Sequence, residues 1–247
     1  VRNRSDARPI TLTDMVEHRR GRAAPPHHRT FVVVGAVAVA ALGGFPAPAV
    51  ADDNWVQPGQ VMTLIPSDDE VSMYYGMPMR PFGPVSTAPG EPVHLEQRDD
   101  CRDFFSVGTS DLVGSDYASY RSQAWDNTSQ AARAIVTVVT FPSVTAAGEA
   151  FMNTYNQAAV NRCRNAKVVA PEFVPGATMD LVHIELKPGI VCSWLFTQRN
   201  YGANAGFTVA ALIARGANFM VVVMSSQWGN AAVTMDRLSQ HVLDRVH

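Results

Sequence analysis

Several groups of residues in this sequence are of types that do chemistry. His183 and Glu185 lie two apart, which puts both on one face of a strand, where they can share a metal ion or pass a proton. A metal needs a third ligand, and the spacing of His94, His241 and His247 suggests none, so the pair reads as a solvated outer face. Gly108-Thr109-Ser110-Asp111-Leu112 begins like a nucleophile elbow but lacks the closing glycine and a preceding strand, so Ser110 is not assigned a catalytic role. Trp194, Arg199 and Tyr201 combine stacking surface with a charge, as glycan and aromatic-ligand sites do. Core and rim packing explains the same three residues, and as a ligand site they form the candidate binding set. Cys101, Cys163 and Cys192, spaced 62 and 29 residues apart, match no zinc or CxxC pattern. A redox role for Cys192 would need exposure and a lowered pKa, whereas Val191 and Trp194 beside it suggest a buried, inert thiol. Asn127-Thr128-Ser129 is a formal glycosylation sequon and is taken as chance. Glycine-rich phosphate loops, HExxH and kinase signatures are missing. The expectation is no catalytic residue, no metal and no cofactor.

The compartment follows from residues 29 to 53, RTFVVVGAVAVAALGGFPAPAVADD. The apolar run from Phe31 to Leu42 is too short to span a bilayer, which takes roughly 20 residues. It fits the apolar region of a secretory signal, with Arg19, Arg20, Arg22 and Arg29 upstream and Ala49-Val50-Ala51 as the cleavage site. No cysteine lies near that site, so a lipoprotein anchor is not expected. Residues 1–51 are thus read as a signal peptide, with Met15 an alternative start, and 52–247 as a single exported domain. Residues 1–51 hold seven Arg against three acids, net +4, and the remainder holds 13 basic and 19 acidic residues, net −6. An acidic body without a basic stripe argues against a nucleic-acid partner. In an oxidising compartment two of the three cysteines should pair, and the odd one is buried or reactive.

The elements that would position these residues are legible in part. Ser67-Asp68-Asp69-Glu70 is a capping box opening a helix that stops at Gly76. Residues 80–92, with four prolines, form a loop. Asp99 and Asp100 cap a short helix carrying Cys101, Phe104 and Phe105, and a further helical stretch covers about 109–122. Arg133–Phe141 reads as a strand, and Ser143 caps one long helix to about Arg164. An antiparallel meander follows. Its first strand, Asp180–Leu186, sets Val182, Ile184 and Leu186 on one face, and Lys187-Pro188-Gly189-Ile190 makes a type II turn. Strands follow at about 190–199, 206–214 and 219–225, and Asn230 caps a last helix with Met235, Leu238, Val242 and Val246 in its core stripe. The strands at 206–214 and 219–225 are apolar at both parities, so both faces need cover. If the two long helices covered only one face, the other would line an apolar cleft.

This order resembles the PknH-like extracellular sensor domain of actinobacteria. The matching pieces are LIPSDDEVSMYYGMPM (64–79), the DDC at Cys101, Tyr117, VVTFPS (138–143), the helix ending in Cys163, and RGANFMVVV (215–223). The resemblance implies a disulfide between Cys101 and Cys163. It implies a second cysteine pair near Val209 and near Ser225 or Ser226, absent here, and leaves Cys192 as a free thiol. It also departs at Val160, where the family commonly has an aromatic residue.

The expected fold is α+β: an antiparallel sheet of five or six strands packed with about four helices and stapled once. The expected function is non-catalytic, binding an extracellular small molecule, lipid or glycan of the envelope. The alternatives are a module that docks another exported protein, and an envelope hydrolase or transferase without a recognisable motif.

Overall fold

The computed structural model describes residues 54–129, 131–169, 178–198 and 206–246. Eight strands among them form one antiparallel sheet in the order β1-β2-β3-β8-β7-β6-β5-β4. These are β1 (Arg80–Pro81), β2 (Ser119–Asp126), β3 (Ala132–Thr140), β4 (Lys167–Val169), β5 (Thr178–Lys187), β6 (Val191–Gln198), β7 (Phe207–Arg215) and β8 (Phe219–Trp228). After the β2–β3 hairpin the chain crosses to the far edge as α3 (Val144–Thr154) and α4 (Gln157–Cys163). It then returns strand by strand until β8 lies beside β3. That return explains why β7 and β8 are apolar at both parities: they lie in the middle of the sheet and are covered twice.

One face packs under α3, α4, α2 (Ser110–Val113) and a 3₁₀ helix at Asp99–Phe104, with Trp194, Ile213, Val222 and Phe151 among its buried residues. The other packs under α1 (Asp68–Tyr75), α5 (Ala231–Leu243) and a 3₁₀ helix at Pro58–Leu64, with Val138, Leu212, Val221 and Leu238. Helices therefore lie on both faces, and the alternative of an apolar cleft over β7 and β8 falls away.

Local signals account for most helix ends. The Ser67 hydroxyl accepts the Glu70 N–H while Glu70 accepts the Ser67 N–H, and Gly76, at φ 65°, closes α1 in the left-handed conformation that glycine adopts without strain. Ser143 and Asn230 cap α3 and α5 through the N–H groups of Ala146 and Ala232. The Ile190 N–H donates to Lys187 O, and Gly189 sits at φ 73°, as a type II turn requires. Asn218, at the β7–β8 turn, bonds both the N–H and the C=O of Val56 and so pins the start of the domain to the end of the sheet.

The structure departs from the sequence-based expectations in five places. The sheet has eight strands rather than five or six, because β2 pairs along β3 and the two short edge strands, β1 and β4, form only by pairing with β2 and β5. The stretch at 109–122 is helical only over Ser110–Val113. Beyond Gly114, Ser119–Asp126 pairs with β3, and buried Tyr120 and Trp125 bond Gly108 O and the Asp68 carboxylate. The expected helix 143–164 is two helices. Tyr155 leaves helical geometry, and Asn156 restarts the helix by accepting the Ala159 N–H. A bulge between Leu181 and His183 turns Val182 out to solvent, so Leu181, Ile184 and Leu186 form the inner set. Asp99 and Asp100 do not cap the 3₁₀ helix; their carboxylates hold the Leu95 N–H and the Arg98 guanidinium.

Candidate functional site

The break between α3 and α4 lets the chain bring Cys163 onto Cys101, with Cα atoms 5.6 Å apart in the disulfide. Three side chains wrap this bond. Arg98 grips Asp100 through two hydrogen bonds of 3.0 and 3.1 Å. Its Nη2 also donates to Arg162 O at 2.8 Å and lies 3.3 Å from Cys101 Sγ. Arg162 Nε donates to Asp100 O at 3.2 Å. The hydrogen bonds from Arg98 hold the Asp100 carboxyl below its ordinary range. Asp100, Cys101 and Cys163 are the one cluster of potential metal ligands among the described residues, but sulfurs bonded to each other offer no thiolate to a metal.

Trp194 is 1% exposed and takes the core-packing reading of the two that its sequence allows. Its indole N–H donates to Phe104 O at 2.7 Å, and its ring stacks on Tyr155 with centroids 5.3 Å apart and meets Phe104 edge-on. The Tyr155 hydroxyl in turn donates to Asp103 O. Burying an indole costs least when its N–H is paired, and here the pairing ties β6 to the 3₁₀ helix beside the disulfide. Arg199 and Tyr201 lie outside the described residues. Cys192 is a free, fully buried thiol on the same face, and burial pushes its pKa far up, away from reactive thiolate.

His183 and Glu185 are both exposed, with Nε2 and Oε2 3.9 Å apart, and no third ligand joins them among the described residues. Ser110 opens the four-residue α2, and its backbone N–H donates to Gly90 O, a geometry unlike a nucleophile elbow. Asn127 is committed to the β2–β3 turn: its carbonyl accepts the Ala131 and Ala132 N–H groups and its amide donates to Ser129. On the opposite layer Glu70 joins α1 to the C-terminal end of α5, with Arg245 bonded to its Oε1 and His241 Nε2 3.2 Å away. Burial works against the Glu70 charge, but the Ser67 N–H, the Arg245 guanidinium and the Ser67 hydroxyl outweigh it and hold the pKa at about 2.

Trp228, an exposed aromatic residue packed on half-buried Phe207, is not marked by any of the motifs above. Phe207 and Trp228 stand opposite each other at the start of β7 and the end of β8, edge-to-face with centroids 5.6 Å apart, and Trp228 is 44% exposed. The corner beneath them is fixed by Thr208, whose hydroxyl donates to Gly229 O and accepts the Ala231 N–H. The signal for it was Trp228 standing directly before Gly229-Asn230, where the strand must end.

The fold and its contents define a disulfide-stapled α+β domain, an antiparallel sheet between two helical layers. The sequence matches the family described as the PknH-like extracellular domain over residues 56–245, and the chain belongs to that family. Among solved structures it is similar to the extracellular domain of PknH from Mycobacterium tuberculosis. That match has TM-score 0.65 and 16% identity and covers 77% of this chain and 96% of the other. A second match, to the Rv0999 ortholog of Mycobacterium smegmatis, has TM-score 0.35 and 15% identity and covers 73% of this chain and 97% of that one. No curated protein matches the sequence. The family is described as an extracellular domain, which sets this domain outside the cell.

Proposed function

We propose that the chain is exported by a signal peptide cleaved after Ala51, carries no lipid anchor, and acts as a sensor-like, non-catalytic domain. Its ligand is a small molecule, lipid or glycan of the envelope. The observation that carries this reading is the family match over residues 56–245, across nearly the whole described domain. Exposed Trp228, braced by half-buried Phe207, supports it by offering a stacking surface for an apolar or sugar ligand. The test is thermal unfolding of the secreted protein with lipid and glycan fractions of an actinobacterial envelope, alongside Trp228→Ala. One fraction should raise the wild-type midpoint and leave the variant unmoved. No shift with any fraction, or an equal shift in the variant, would overturn the reading.

A further inference from the structure

The far edge of the sheet is only partly closed. β4 covers β5 at Thr178–Asp180, and the Leu181 N–H reaches Ala166 O at 2.8 Å. From residue 182 to 187 the outer side of β5 has no hydrogen-bonded strand among the described residues. Because Lys187 O accepts the Ile190 N–H, Lys187 turns its backbone toward β6. By alternation Ile184 and Leu186 turn their N–H and C=O groups outward. Their side chains lie on the face that carries α4, which packs against β5: Ile184 is buried and Leu186 half-buried. An extended chain laid along this edge would meet two free N–H groups, two free C=O groups and an apolar shelf beside a helix.

The charges around the edge narrow the occupant. The protein has two lysines, and they stand at the two ends of this segment: Lys167 opposite Asp180, and Lys187 at the last residue of β5. Arg164 is exposed where α4 ends, and neither Arg164 nor Lys187 forms an ion pair with a described residue. Basic groups thus flank the segment at both ends, and Glu185 is the one acid between them. The one self-pairing register in which a second copy uses both Ile184 and Leu186 sets Glu185 directly against Glu185, and like charges directly opposite destabilise a sheet. Pairing Leu186 with Leu186 instead brings Pro188, which has no N–H, opposite Ile184, and pairing Ile184 with Ile184 brings Leu186 opposite the bulge at Val182, so each of these registers uses only one of the two residues.

The geometry points to a strand-addition site on β5 for an extended segment of another exported protein, apolar on the α4 side and acidic opposite His183 and Lys187. The site is separate from the Phe207–Trp228 surface, so the two readings stand or fall independently. The probe is a capped peptide, Asp-Val-Ser-Val-Asp between Gly-Ser tails, with Lys-Val-Ser-Val-Lys as control, followed by residue-resolved amide exchange on the secreted domain. The acidic peptide should slow exchange at Ile184 and Leu186 and the basic one should not. Lys187→Glu, a surface change that leaves the core intact, should weaken the acidic peptide about fivefold, the size of one cross-strand ion pair. Unchanged exchange at both amides would mean that the bulge and the lysines merely guard the edge. Equal protection by both peptides, or protection confined to another strand, would also overturn the proposal.

Discussion

Replacing Cys101 and Cys163 together by alanine tests what the single staple does for the fold. The two cysteines are 62 residues apart in sequence, and both are fully buried between the 3₁₀ helix and α4. In the chain-entropy treatment, closing a loop of that length takes about 4 kcal/mol of freedom from the unfolded chain. Set against a typical stability of about 5–15 kcal/mol, that is a large share. The Arg98–Asp100 and Arg162–Asp100 contacts survive the substitution, but all three side chains are 40–46% exposed and recover little of the loss. For a domain of this size the midpoint should fall by about 8–16 °C. The assay is paired guanidinium and thermal unfolding of wild type and double variant, with reduced wild type as a third sample. Reduced wild type should behave like the variant. A loss below about 1 kcal/mol would refute the reasoning, since it would mean that the unfolded chain is already constrained between these two points.

Three further outcomes follow from the same structure. Glu70 has its pKa lowered from the usual 4.5 to about 2, so its contribution is complete above the unfolded value and is lost as pH falls from about 4.5 to 2. With its side chain 29% exposed, screening holds that contribution to about 1–2 kcal/mol. Glu70→Gln should therefore flatten the acid limb of the stability curve, and an unchanged limb would contradict this. Cys192 should resist alkylation in the native protein at mildly alkaline pH and react fully after denaturation, as read by mass; rapid native labelling would mean that the thiol is not sealed under α3 and α4. Val209 and Ser226 are direct cross-strand partners, and Cα atoms about 4.5–5.5 Å apart in such pairs lie within disulfide range. The Val209→Cys, Ser226→Cys variant should form a second bridge and gain about 3 kcal/mol, and free thiols in the purified variant would refute the pairing.

The elements read correctly in the sequence are those set by local chemistry. The Ser67 box, Gly76, the Ser143 and Asn230 caps and the Pro188-Gly189 turn all act through neighbours a few residues away. The misreadings arose where distant chain decides. Ser119–Asp126 becomes a strand because β3 offers a partner and because Gly108 and Asp68 receive Tyr120 and Trp125. The burial of Trp194, one of the two readings its sequence allows, is also decided at a distance, by Phe104 and Tyr155 closing over it. The bulge at Val182 leaves no mark on the alternation it interrupts. Asn156 inside a supposed helix was a readable signal for the break, since its side chain competes for backbone N–H groups.

The most direct test of an exported, once-stapled, ligand-binding domain is mass spectrometry of the protein purified from its native culture medium, once native and once denatured. The denatured mass should correspond to a chain beginning at Asp52 with one disulfide and one free thiol. The native mass should exceed it by a discrete increment, the retained ligand. An intact N-terminus, three free thiols, or native and denatured masses that agree would contradict the account.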